Sequence, residues 1–342
     1  MKLTGHLLYI DITQICGIGC GFCMYADKHA RGQSMVLDEL SYANLATLIN
    51  DPEVKRISVS GEGEPLNNIA TFHEILRLSE GGKAFEFITS GFLPHDQLER
   101  FYHATNEIVA GNGDTCNIRL SADSYHVAKV RHRAHGFSVG YALGQRPEAL
   151  RFSFRSVDTD RAFTRNYLVE ELAAHGHAAR IRAESALGDM LLADSTEFGI
   201  EYKNHVHPQV LMPGEFLDFY RYIDAIEARY GKRFTLGSLN RFPQDNGMDV
   251  TVKPDGQVYF YGAEHIVLGN IHADRIDWRD LRQRLLDDRL LNALYSTPIV
   301  NLLDRISDKE AVRHAVARAN NPYWVVKELV KVDGLLEGLV AA

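Results

Sequence analysis

Six short runs rich in β-branched and aromatic residues alternate with amphipathic helical runs over residues 1–200. The β-rich runs are Leu7–Ile12, Arg56–Ser60, Phe85–Thr89, Asn117–Ser121, Leu150–Arg155 and Ala179–Ala183. Helical patterns lie between them at Leu37–Asn50, Ile69–Ser79, His95–Ala104, Tyr125–Arg133 and Arg161–His175. Strands that alternate with helices predict an α/β chain with a parallel sheet. Six such strands, against the eight of a closed barrel, point to an open, partial (β/α)6 TIM-like barrel.

Beyond that the pattern changes. Gly188–Pro213 shows little periodicity and reads as irregular or locally extended, and Phe216–Tyr230 reads as a helix. Asp249–Val252 and Gln257–Tyr261 read as two strands around Pro254-Asp255-Gly256, a tight-turn sequence. Helical patterns follow at Leu281–Tyr295, Asp308–Ala319 and Tyr323–Leu339. The division expected is a barrel core over residues 1–200 and a smaller α+β extension over 201–342. The extension carries a hairpin near 248–271 and helices that cover the barrel mouth.

Composition narrows the function classes. The formal net charge of −8 disfavours nucleic acid as a partner, and the short basic run Lys129–Arg133 reads as a solvated helix face. The apolar run before Asp11 is too short for a signal peptide, and no stretch has the length of a membrane span, so no membrane partner is expected. The chain has four cysteines, three of them clustered, which is no disulfide framework. A reducing cytoplasm is the expected compartment.

The clustered cysteines are Cys16, Cys20 and Cys23, spaced C-x₃-C-x₂-C directly after the first strand. Three thiolates on one loop leave a metal centre with one position for another ligand, and thiolates are the usual ligands of iron–sulfur clusters. A zinc site completed by a distant His or Cys is a second reading. Three buried thiols are a third, against which Gly17, Gly19 and Gly21 speak, since they let the backbone wrap a bulky centre.

Barrel enzymes collect functional groups at the carboxyl ends of their strands. The second strand leads into Gly61-Glu62-Gly63-Glu64-Pro65, the third into Ser90-Gly91, and the fourth ends in Ser121-Ala122-Asp123. The glycines suit a close backbone approach to a ligand. Pro65 holds Glu64 extended, so its carboxylate and the loop carbonyls suit an ammonium group.

Together these residues resemble the radical S-adenosylmethionine (radical SAM) superfamily over residues 6–185. The cysteine loop matches its cluster motif, Gly63-Glu64-Pro65 its glycine–glutamate–proline motif, and Asn117–Asp123 its fourth-strand pattern. The resemblance implies that Cys16, Cys20 and Cys23 hold three irons of a single [4Fe–4S] cluster. S-adenosylmethionine would chelate the fourth iron and be cleaved reductively to a 5′-deoxyadenosyl radical, which abstracts hydrogen from a substrate. By the same resemblance Phe22 and Tyr25 lie near adenine, and Gly63 and Glu64 serve the methionine ammonium. Ser121 with either Arg131 or Arg155 would take the carboxylate. An external electron donor such as flavodoxin or ferredoxin and sensitivity to oxygen are further implications.

Thr251–Gly262, followed by Leu268-Gly269-Asn270-Ile271, is similar to the hairpin of the SPASM/twitch extension. That extension carries cysteines for auxiliary clusters, whereas this chain has none after Cys116, so the expected cluster count is one. Cys116 lies five strand residues before Ser121, about 16 Å at strand rise, and reads as a core hydrophobe. Tyr202, His205, His207, Tyr259 and Tyr261 are the candidates for a substrate pocket. The expected substrate is a small-molecule natural-product intermediate: a sugar, nucleoside or amino acid. The rival within the superfamily modifies a ribosomal peptide by epimerisation or crosslinking. The rival of another class is a non-catalytic zinc or iron–sulfur regulatory protein.

Overall fold

The computed structural model describes residues 3, 5–20, 23, 32–203, 218–239, 247–319 and 321–340. The strands are β1 (His6–Asp11), β2 (Val54–Ser60), β3 (Ala84–Thr89), β4 (Thr115–Ser121), β5 (Leu150–Val157), β6 (Ala179–Ser185), β7 (Gly188–Ala193), β8 (Thr196–Lys203), β9 (Val250–Val252), β10 (Gln257–Phe260) and β11 (Gly269–Asn270). The helices of the first 203 residues are α1 (Glu39–Asn50), α2 (Ile69–Arg77), α3 (His95–Asn112), α4 (Ser124–Lys129), α5 (His135–Gln145) and α6 (Arg161–Ala174). Those that follow are α7 (Phe219–Tyr230), α8 (Trp278–Asp287), α9 (Arg289–Ser296), α10 (Ile299–Leu303), α11 (Lys309–Arg318), α12 (Val325–Leu329) and α13 (Leu335–Val340). Two compact units are formed, one from residues 1–9, 37–56 and 204–342, the other from residues 10–36 and 57–203. Among the described residues no helix is long and apolar enough to cross a membrane.

In the unit of residues 10–36 and 57–203, strands follow the order β2, β3, β4, β5, β8, β7, β6. β3 and β4 pair in parallel, as do β4 and β5, and β5 and β8. The expectation that Ala179–Ala183 is the sixth barrel strand is corrected here. That segment is β6, antiparallel to β7, and β7 is antiparallel to β8, which is the strand that pairs in parallel with β5. The alternation in Ala179–Ser185 is real, but most of it faces solvent on an edge strand. Gly188 and Gly199 blur β7 and β8 within a stretch read as irregular or locally extended, because glycine weakens a strand pattern. Asp194 and Ser195, both with positive φ, form the two-residue turn that such a hairpin requires.

Helices fill the crossovers. The helix expected at Tyr125–Arg133 stops earlier, with Val130 extended after α4, and α5 begins again at His135. The aromatic core of this unit gathers where α2 and α3 meet β3. Phe87 lies 4.4 Å from Phe72 and 5.0 Å from Phe101, ring centroid to centroid, and all three are buried. Cys116 is fully buried and burial pushes its thiol up, as suits a core residue.

In the other unit, β9 and β10 form the expected hairpin, with Gly256 at φ +81° in its turn. His6 stacks on Trp278 at 4.7 Å, its Nδ1 accepts the Met248 N–H at 3.0 Å, and Trp278 Nε1 donates to Leu48 O at 2.9 Å. Asn44 Nδ2 donates to the carbonyls of Ile271 and Asp274, both at 2.8 Å, so α1 is pinned to the segment after β11. The pattern read as one helix over Leu281–Tyr295 breaks at Asp288. Its extended backbone lets the side chain cap α9 through the N–H groups of Leu290 and Leu291. The Tyr323–Leu339 pattern likewise divides into α12 and α13, with Gly334 at φ +79° between them.

Truncating Phe87 to alanine is expected to cost about 3–5 kcal/mol through lost burial and a cavity between β3, α2 and α3. Urea denaturation of Phe87→Ala against the parent chain measures it.

Candidate active site

The site is assembled in the unit of residues 10–36 and 57–203, beyond the carboxyl ends of its strands. The feet of the cysteine loop are tied together. Gln14 N–H donates to Gln33 O at 2.6 Å, Met35 N–H to Ile12 O at 2.8 Å, and the hydroxyls of Thr13 and Ser34 meet at 2.8 Å. On the loop, Cys16, Cys20 and Cys23 are in no disulfide and of intermediate exposure, and Cys23 N–H donates to Cys20 O at 3.1 Å. Burial pushes the Cys16 thiol up, while the backbone N–H groups of Ile18 and Gly19, which hydrogen-bond its sulfur, favour the thiolate. Among the described residues, a side chain at Gly17 or Gly19 would meet nothing within 4 Å. Soft sulfur donors and backbone N–H groups aimed at one of them fit an iron–sulfur cluster. Among the described residues no three His, Cys, Asp or Glu side chains converge on a single metal ion. Phe22 and Tyr25 lie outside the described residues.

The Gly61–Pro65 turn is sewn to the foot of that loop. Gly63 N–H donates to Thr13 O and Glu64 N–H to Ile15 O, both at 2.9 Å. Asn67 Nδ2 donates to the same Ile15 oxygen at 2.9 Å, and Gln14 Nε2 reaches Glu62 Oε2 at 2.7 Å. A Cβ on Gly63 would stand 2.4 Å from Ile15 O and 2.5 Å from Gln14 C, and one on Gly61 would stand 2.7 Å from Thr13 O. The close approach that these glycines permit is therefore to the chain itself, where no backbone could yield.

Glu64 is extended, as Pro65 dictates, and 4% exposed. Its Oε1 accepts the Leu66 N–H at 3.2 Å and the Thr89 hydroxyl. Its Oε2 accepts the Ser90 N–H at 2.8 Å and the Ser90 hydroxyl at 2.6 Å. Four donors meet the four lone-pair directions of one carboxylate. Glu64 thus clamps the turn after β2 to the end of β3.

At the end of β4, Ser121 sits beside Arg155 in register, and Ala122 N–H donates to Arg155 O at 2.7 Å. Arg131 is exposed on the bend after α4, so of the two arginines it is Arg155 that stands next to Ser121. The Ser121 carbonyl is held by buried His135, whose Nε2 lies 2.9 Å away, while Tyr167 OH lies 2.8 Å from Nδ1. A carbonyl only accepts, so Nε2 carries the proton and Nδ1 accepts from the tyrosine. Burial pushes His135 down to about 4, against the opposing pull of Ser121 and Asp123.

Residues that motif reading passed over complete the rim. Asp123 caps α4 through the His126 N–H at 3.0 Å and holds His126 Nδ1 at 2.8 Å. Cys20 also acts on the His126 ring to favour its charged form. Burial would lower His126, but those two partners outweigh it and raise it to about 10. Lys203, ending β8, is pushed down to about 8 by burial and by Arg155, with Asp123 and Cys23 pulling the other way.

Strand registers place Glu86, Arg119, Ser121, Ser153, Arg155, Glu201 and Lys203 on one face of the sheet. Arg119, 5% exposed, bridges Glu86 at 3.1 Å and Glu201 at 3.0 Å, and Ser58 Oγ donates to Glu86 at 3.2 Å. The opposite face carries Ile118, Leu120, Phe152, Phe154 and Ile200, all buried. Barrel interiors are ordinarily filled by branched apolar side chains. Here the apolar face is turned to the helices and the charged one inward. Tyr202, a pocket candidate by sequence, falls on the apolar face, where its hydroxyl donates to Asp189 at 2.8 Å, and so it is removed from the pocket. His205 and His207 lie outside the described residues. Tyr259 and Tyr261 belong to the other unit, where Tyr261 packs on Tyr9 at 5.7 Å.

His135 gives this site a pH signature. Unfolded, its imidazole binds a proton near pH 6.5, but folded only near about 4. Acid therefore favours the unfolded chain, and the stabilisation present above pH 6.5 is lost as pH falls towards 4. Relative to His135→Phe, which has no such proton, the parent's advantage in urea midpoint is expected to shrink steadily between those pH values. An unchanged advantage would contradict the neutral, buried imidazole.

Comparison with known proteins bears on identity. Residues 10–139 match the family model described as the Radical SAM superfamily. No curated protein matches the sequence. Among solved structures, native anSMEcpe with bound AdoMet and Cp18Cys peptide aligns at TM-score 0.50 and 14% identity, over 94% of this chain and 95% of that one. His6-tagged anSMEcpe with bound AdoMet aligns at 0.45 and 15% identity, over 81% and 79% of the two chains. BtrN in complex with AdoMet and 2-DOIA aligns at 0.40 and 12% identity, over 83% and 87%. At 14% identity the likeness to native anSMEcpe is one of fold. The matched segment runs from the end of β1 through the cysteine loop to α5, and over those residues the chain is similar to the radical SAM superfamily.

Proposed function

We propose that this enzyme takes hydrogen from a small, strongly polar molecule, such as a sugar, nucleoside or amino acid in natural-product assembly. The observation that supports this reading is the charged inner face of β3, β4, β5 and β8. An apolar substrate lying on Glu201, Arg155 and Lys203 would strip water from them and return no hydrogen bonds. A substrate bearing hydroxyl, amine or carboxylate groups replaces that water in kind. The buried bridge from Arg119 to Glu86 and Glu201 costs desolvation and holds its geometry only while its partners are kept. Such a layer suits a site that must orient a polar ligand.

When bound, the [4Fe–4S] cluster supplies the electron that splits a carbon–sulfur bond of S-adenosylmethionine and frees the 5′-deoxyadenosyl radical. In this reading Cys16, Cys20 and Cys23 hold the cluster. Loop carbonyls around Gly63 take the methionine ammonium, with the Glu64 carboxylate fixing that loop from beneath. Ser121 and Arg155 take the methionine carboxylate, and Phe22 and Tyr25 lie against adenine. A one-electron donor such as flavodoxin or ferredoxin serves the cluster. Three cysteines in no disulfide and a cluster suit a reducing cytoplasm and exclusion of oxygen. With no cysteine after Cys116, the reading has one cluster.

Anaerobic reconstitution followed by dithionite and S-adenosylmethionine tests the reading. About four irons per chain and release of 5′-deoxyadenosine are expected. Stoichiometric zinc without cleavage would overturn it. Cys20→Ala is expected to lose both iron and cleavage. Arg155→Ala should weaken S-adenosylmethionine binding at least tenfold by equilibrium dialysis while Arg131→Ala leaves it unchanged, and the reverse result would exchange their roles.

A further inference from the structure

We propose that a cavity at the fork between β5 and β8 binds a small amphipathic monoanion, an apolar body carrying one carboxylate, with Arg146 as its counter-charge. The cavity lies at the amino ends of these strands, whereas the candidate active site lies beyond their carboxyl ends. The proposal is independent of how the cysteine loop is read.

Strand register makes the fork. β5 begins at Leu150 and β8 at Thr196, yet the two pair only from Phe154 opposite Ile200 to Val157 opposite Lys203. Before that point Leu150–Ser153 keep their pairing with β4, and Thr196–Gly199 keep theirs with β7. The two strands therefore follow different neighbours and part towards their amino ends. A cavity of about 720 Å³ lies where they part, lined by both strands, the end of α5 and the turn that joins β7 to β8. Small-molecule sites ordinarily measure roughly 300–1,000 Å³. The floor is apolar: Leu150, Phe152 and Phe198 are buried there, with Leu143 and Pro147 beside them.

The charges at the mouth do not cancel. Its two carboxylates are already answered, Asp194 by His177 Nδ1 and Glu197 by Arg182 Nη1, each at 2.9 Å. Arg151 spends Nη1 on the carbonyls of Pro147, Glu148 and Leu150, at 3.2, 3.0 and 2.9 Å. Arg146 is exposed, and among the described residues no ion pair or side-chain hydrogen bond holds its guanidinium. An anion at this mouth gains a charge-assisted contact while its apolar body leaves water for the floor.

The backbone at Arg146 is a second, independent sign. Its φ is +46°, in the left-handed region where a helix end usually places glycine or asparagine. Pro147 follows, and a proline favours extended backbone in the residue before it. An arginine is thus kept in a conformation that suits it poorly, at the rim of the cavity. Such outliers gather at ligand sites. A structural account is available, since a cation at the carboxyl end of α5 favours the helix dipole. That account predicts an effect on stability and none on binding.

Equilibrium dialysis of the full chain against naphthoate, and against neutral naphthylmethanol, tests the proposal. The parent is expected to bind naphthoate saturably with a dissociation constant below about 1 mM, and the alcohol about tenfold more weakly. Arg146→Gln and Arg146→Gly are expected to lose about tenfold for naphthoate and to keep the parent's affinity for the alcohol. Glycine suits the left-handed backbone, so Arg146→Gly separates charge from fold: its melting temperature should not fall while its naphthoate affinity does. Leu143→Glu, which sets a negative charge against the floor, is expected to lose both ligands. Should it fail to fold, the two Arg146 variants decide. A parent without saturable naphthoate binding, equal affinity for acid and alcohol, or a folded variant that binds naphthoate as the parent does overturns the proposal.

Discussion

Everything at this site depends on one carboxylate. Glu64 takes four protein donors, from the turn after β2 and from the end of β3, and leaves no lone pair idle. The turn it steadies is bonded through Gly63 and Glu64 N–H groups to Thr13 and Ile15, the residues that lead into Cys16. Burying a carboxylate without such donors would be costly. Glycine at 63 is the other half of the arrangement, because the two backbones touch where a Cβ would stand. Position of the cysteine loop is thus decided on a neighbouring strand.

The second theme is the inversion of the barrel. Parallel sheets covered on both faces usually show near-continuous apolar strands. Here the strands alternate, with apolar residues towards helices and charges inward. Arg119 between two carboxylates, and Arg155 and Lys203 nearer the rim, give a floor of fixed charge beneath the loops. Such a floor is rigid because removing any partner strands a buried ion.

Much of this was readable in the chain. The cysteine spacing, the Gly–Glu–Pro turn and the Ser–x–Asp strand end announced themselves as local motifs, and the β/α alternation predicted a parallel sheet. What escaped notice depended on contacts distant in sequence. Ala179–Ser185 alternates like a barrel strand, yet its neighbours make it an edge. Gly188 and Gly199 conceal strands that tertiary pairing stabilises. His126 carries no motif of its own, and only the i, i+3 spacing from the capping Asp123 hints at it. Glu86, Arg119 and Glu201 would have emerged from a period-two reading of polar residues within strands expected to be buried.

The route by which β8 reaches its place has a consequence for how the chain folds. β8 pairs in parallel with β5, its partners 46 residues earlier in the chain, a contact that is slow to find in an unfolded chain. It also pairs antiparallel with β7, from Ala193 opposite Thr196 to Gly188 opposite Glu201, a contact made within a few residues. β7 in turn pairs with β6. The three strands form a meander whose pairings are all local in sequence. Glu201 and Lys203 thus sit on a strand with a local scaffold of its own, so the entropy of closing the long β5–β8 loop falls on a three-strand unit rather than on a lone strand.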